Sequence, residues 1–179
     1  MIFRGREEQG TVWRRFRSGS DGFTFEQTPE GYFEAHVAAN AERAVDLLYV
    51  LSEHLPPAVD LTLTDRRSRQ AWDGTDIALP DVRDALARLK VPMATYGGVD
   101  VSIYTADDQL SLNAELDLYA FARSDRWLYL LQAKGLEHYG AVSNKPWRAQ
   151  PWDRAAAPAL SSAIAAAAER LALTRTRNA

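Results

Sequence analysis

Residues 99–131 constrain the fold most, because apolar and polar residues alternate there at the two-residue period of a half-buried strand. Val99, Val101 and Ile103 share one side, followed by Leu110, Leu112, Ala114, Leu116, Leu118 and Ala120, then Leu128 and Leu130. The other side carries Asp100, Ser102 and Tyr104, then Ser111, Asn113, Glu115, Asp117 and Tyr119. The pattern predicts three consecutive strands, turned at residues 106–108 and 123–126, with one side in the core and the other in water. Sheets wetted on one face are normally antiparallel.

The rest of the chain supplies more strands and the helices to cover them. Residues 11–17, 23–27 and 31–37 read as a meander broken by Ser18-Gly19-Ser20-Asp21-Gly22 and Thr28-Pro29-Glu30-Gly31. Asn40 suits the N-cap of a helix with an apolar stripe of Ala44, Leu47, Leu48, Leu51 and Leu55, ended by Pro56-Pro57. Val59, Leu61 and Leu63 alternate with Asp60, Thr62 and Thr64, and a polar turn at residues 65–68 leads to a short strand at 70–72. Pro80 opens a second helix carrying Val82, Leu86 and Leu89, which Pro92 is expected to end. Residues 146–152 read as a connector to an alanine-rich helix over 155–173 with Leu160, Ile164, Ala168 and Leu171 on one stripe. Residues 174–179 are expected to fray. The sum is a single α+β domain over residues 1–179, a mainly antiparallel twisted sheet with about three helices packed on one face.

With 179 residues the chain can bury roughly 70% of its unfolded surface without covalent staples. The absence of cysteine excludes disulfides and thiolate chemistry and fits a reducing, cytoplasmic setting. Met1-Ile2-Phe3-Arg4 leads into charges, and no apolar run reaches bilayer-spanning length, so no membrane association is expected.

No residue set defines a reaction. His36, His54 and His138 fall in three elements without metal-ligand spacing, and His54 is explained by a helix C-terminus. Glu34 shares a strand face with His36, and Glu137 precedes His138, so Glu34, His36 and His138 are the candidates for an acid–base couple in a cleft beside the sheet. The alternative is polar residues on a wet face. Asp73-Gly74-Thr75-Asp76 lacks the rest of a calcium loop, Gly97-Gly98 lacks a phosphate-binding fingerprint, and no serine elbow occurs. No metal and no cofactor are therefore expected.

Charge is distributed more informatively. Residues 21–65 hold nine acidic side chains against the single Arg43, and residues 91–122 contain no Lys or Arg. The ends are basic, and Trp13 among Arg14, Arg15 and Arg17, like Trp147 beside Lys145 and Arg148, combines ring and charge as single-stranded nucleic acid would need. Overall acidity opposes phosphate binding, which makes nucleic acid an unlikely partner and an RNA-binding accessory role a minor alternative. Asp60, Asp100, Tyr104, Glu115, Asp117 and Tyr119 would instead form an acidic, tyrosine-bearing face suited to a basic protein, unless it is only a solvated surface. The order of elements resembles that of small acidic α+β proteins acting as bacterial toxin-immunity proteins or secretion chaperones. That resemblance implies a non-catalytic module that neutralises or escorts another protein.

Overall fold

A computed structural model of the chain describes residues 15–17, 21–140, 147–149 and 157–177. After β1 (Arg15–Arg17), β2 (Gly22–Gln27) and β3 (Phe33–Ala38) form a hairpin closed where the Thr28 N–H donates to the Tyr32 carbonyl at 2.7 Å. Helix α1 (Ala41–Leu51) begins at Asn40 and buries Ala44, Leu47, Leu48 and Leu51, as three- and four-residue spacing requires. A second hairpin, β4 (Ala58–Asp65) with β5 (Gln70–Ala78), leads into α2 (Leu79–Tyr96). A meander follows, of β6 (Val99–Tyr104), β7 (Asp108–Leu112) and β8 (Leu118–Ala122). Helix α3 (Arg126–Ala133), β9 (Glu137–His138), β10 (Trp147–Ala149), α4 (Pro158–Arg170) and β11 (Thr174–Arg177) complete the described elements.

Nine strands share one sheet in the order β11-β5-β4-β6-β7-β8-β3-β2-β9, antiparallel throughout except for β2 with β9. The class is α+β, with four α-helices among the described residues. One face buries Phe23, Val37, Leu61, Leu63, Val101, Ile103, Leu110 and Leu118 beneath the helices, with α2 packed between α1 and α4. Among the described residues no helix is long and apolar enough to cross a membrane.

Local chemistry corrects several expectations. The row from Leu110 to Ala120 is two strands: residues 113–117 turn, with the Asn113 N–H donating to the Asp117 carbonyl at 3.0 Å and Leu116 at φ 65°. Alternate burial continues through the turn, so Ala114 and Leu116 are buried as strand residues would be. Leu128 and Leu130 lie on α3 instead of a third strand, because Trp127 and Leu131, four apart, turn one helical side into the core. Trp127 is fully buried and donates through Nε1 to the Phe121 carbonyl at 3.1 Å.

Helix α2 runs through Pro92 and ends four residues later: the proline removes one hydrogen bond, and core burial of Leu89, Met93 and Ala94 on either side of it offsets that loss. Gly97 and Gly98, both at positive φ, make the stop, and Arg67 donates to the Tyr96 and Gly97 carbonyls at 2.5 and 2.6 Å. Within the expected connector, Trp147–Ala149 pairs with Arg15–Arg17 in a separate two-stranded ribbon, which takes β1 out of the N-terminal meander. The expected frayed tail is β11, whose Thr174 to Arg177 satisfy the edge of β5. Residues 11–14 and 155–156, included in the expected first strand and last helix, lie outside the described residues, as do Trp13 and Trp152.

Candidate functional site

The sheet face opposite the helices is built by register alone. One row crosses eight strands from Thr174 through Asp73, Thr62, Ser102, Ser111, Tyr119 and His36 to Thr24. The next contains Asp60, Tyr104, Gln109, Phe121, Glu34 and Glu26. Directly paired residues in an antiparallel ladder share a face. Most of these side chains are half-buried, and they bond laterally: Ser102 and Ser111 hydroxyls lie 2.8 Å apart, and the Gln109 amide donates to Ser111 Oγ at 2.7 Å. Rings form a strip, with His36 on Tyr119 at 4.5 Å and Tyr119 by Phe121 at 6.5 Å.

All six residues expected to bind lie on this face or at its rim, but they divide between two ends and two roles. Asp60 and Tyr104 mark one end, Asp100 with the turn residues Glu115 and Asp117 the other, and Tyr119 lies between them. Asp100 accepts from Arg66 Nε and from the Ala114 N–H at 3.0 Å, so it pins the 113–117 turn to β6. That hydrogen bond and the Asp100 charge push the Arg66 guanidinium above its ordinary range. Asp117 accepts from Asn113 Nδ2 at 3.4 Å, and Asp60 accepts the N–H of Asp76, a residue at φ 53° near the β4–β5 register shift. Asp60 and Asp100 hold backbone N–H groups and Asp117 holds the Asn113 and His36 side chains, whereas Glu115 is exposed.

The acid–base candidates do not converge. His36 Nε2 meets Asp117 Oδ1 at 3.4 Å, so its carboxylate partner is on the neighbouring turn and not Glu34. His138, on β9, stacks on the buried Phe23 and belongs to the opposite face of the sheet. The His36–Asp117 pair has the atoms to relay a proton, but a concavity on this face lies elsewhere. Among the described residues no group of three or more His, Asp or Glu side chains is arranged to hold a metal ion.

That concavity, of about 430 Å³, opens at the Tyr104 end between the β2–β3 turn and the β6–β7 turn. Tyr32, Tyr104, Gln109 and Phe121 line it, with Glu30, Asp107 and Asp108. Sequence reasoning missed Tyr32 and Phe121. Phe121 was legible, since it continues the outward alternation of Tyr119, whereas Tyr32 reaches the cleft only because the hairpin turn folds over.

Asp108 has a side chain 9% exposed, and Arg126 lies 3.0 Å from its Oδ2. Burial pushes its carboxyl above the usual range, Arg126 opposes the shift and Asp107 adds to it. A raised folded value means that its contribution to stability is complete below the unfolded value, about 3.9, and is lost as pH rises through the folded value. Asp108→Asn, which cannot ionise, is therefore expected to gain stability relative to the parent chain as pH rises from the acid range towards neutrality. Urea unfolding of both proteins between pH 3 and 7 checks the sign. A relative loss for the variant on the same path would show that the attraction of Arg126 outweighs burial.

Comparison with protein-family models, with curated proteins and with solved structures gives no match for this chain.

Proposed function

We propose that the chain is a non-catalytic binding module whose open sheet face receives a basic partner protein, in the manner of an immunity-type protein or a chaperone-like adaptor. One observation carries this reading: among the described residues no outward position of the nine-stranded sheet holds Lys or Arg, while Glu26, Glu34, Asp60 and Asp73 stand there among half-buried rings. Acidic rows between the rim cations Arg66 and Arg123 leave the middle of the plate negative, which raises the capture rate of an oppositely charged protein, and aromatic side chains are enriched where interfaces form.

The test neutralises charges that do not shape the backbone. With the parent chain and a Glu26→Gln, Glu34→Gln, Asp73→Asn variant as paired baits, a basic protein from the native host should be retained by the first and released sooner at moderate salt by the second. Its association rate should fall by about tenfold in the variant at low ionic strength. A partner that is acidic, or one whose association rate ignores the three substitutions, would refute the face as an electrostatic docking surface.

A further inference from the structure

The cleft at the Tyr104 end combines two chemistries that favour the same ligand. Three rings, of Tyr32, Tyr104 and Phe121, line it, aromatic faces carry negative quadrupoles, and Glu30 and Asp107 add full charges; no Lys or Arg is among its lining residues. A cation already exploits this arrangement from the rim. Arg123 Cζ lies 5.2 Å from the Tyr32 ring centroid, and Arg123 Nε lies 3.0 Å from Asp107 Oδ1. Its position is fixed by the backbone, where the Arg123 N–H donates to the Asp107 carbonyl at 3.2 Å.

We infer that this cleft receives an arginine side chain of the basic partner, in the place that the Arg123 guanidinium now holds over Tyr32. The inference rests on the proposed function and names the partner group that the face recognises. A guanidinium is planar, stacks on rings and is weakly hydrated, so it surrenders less water than an ammonium on entering such a site. The cleft opens onto the row of Asp60, Tyr104 and Phe121, so a side chain projecting from a protein laid on the plate can reach it. Arg123 acts as an internal competitor from the rim: while it lies over Tyr32 and Asp107 those two groups are not free for an entering guanidinium, and the apparent affinity is reduced by the fraction of molecules in which it stays there. At 63% side-chain exposure it can leave without unfolding anything.

The experiment is an NMR titration of the full chain with N-acetyl-arginine amide, using the citrulline counterpart as the uncharged control. Saturable shifts are expected at Tyr32, Tyr104 and Phe121 with the arginine probe and not with citrulline. Arg123→Ala should tighten binding about threefold or more, since it frees the Tyr32 ring and the Asp107 carboxylate. Tyr104→Leu and the exposed-turn change Glu30→Gln should each weaken it about threefold. Absence of saturable shifts at these rings, equal binding of citrulline, or no gain from Arg123→Ala would overturn the inference. None of these variants touches Glu26, Glu34 or Asp73. A failed titration beside an intact charge effect on partner association therefore removes the arginine site alone.

Discussion

Ending the chain after Gln150 is expected to give a protein that aggregates and no longer unfolds in one cooperative step. The truncation removes α4, which buries Leu160 and Ile164, and the turn after it, which buries Leu171. Each such side chain contributes about 1.5–3 kcal/mol, so three approach the roughly 5–15 kcal/mol by which domains are stable at all. It also removes β11 and leaves β5 as an open edge with unpaired backbone groups, a template for intermolecular pairing. Calorimetry and size-exclusion chromatography check the outcome. A monomeric truncation with a sharp transition would mean that helix and strand are accessories to a domain that stands without them.

Leu116→Ala is expected to cost about 2–5 kcal/mol, because the side chain is 1% exposed and its removal leaves a cavity. The companion substitution separates two causes. Leu116 sits at φ 65°, a conformation that costs an L-residue about 1–2 kcal/mol and glycine almost nothing. Leu116→Ala keeps that strain and loses the burial; Leu116→Gly loses the burial and sheds the strain. Glycine should therefore be no worse than alanine here, opposite to the usual order within a strand. Chemical denaturation of the pair decides it, and a glycine variant less stable by about 1 kcal/mol would contradict the positive-φ turn.

The same residue explains what the sequence could and could not disclose. From Val99 to Ile103 the alternation is a direct record of the pleat, and the register with β4 follows from it. Between Leu112 and Leu118 the alternation persists although the chain reverses, because a left-handed residue returns the next apolar side chain to the core. Burial period therefore reports the face and not the direction of the backbone. Trp127 and Leu131 carried a helical spacing that the nearby Leu128 and Leu130 masked as strand, and β11 was hidden because Thr-Arg-Thr-Arg has no apolar residue to alternate. The candidate face was legible residue by residue. Its division into carboxylates that fasten turns and carboxylates that face outward was not, since Asp60, Asp100 and Asp117 take their partners from residues up to tens of positions away, as with the Asp117 contact to His36.

Nine strands side by side also decide what kind of object can lie on the plate. Adjacent strands rotate by roughly 20–25°, so eight steps turn β9 by roughly half a revolution relative to β11. Twist of that size gives a sheet the form of a propeller blade, with the normals at its two margins pointing in different directions. A rigid flat molecule can touch only the middle strands. Contact with both the Asp60 end and the margin strands would demand either a convex partner of matching hand or an extended segment that winds across the blade, so under the proposed function the handedness of the sheet would itself select among partners.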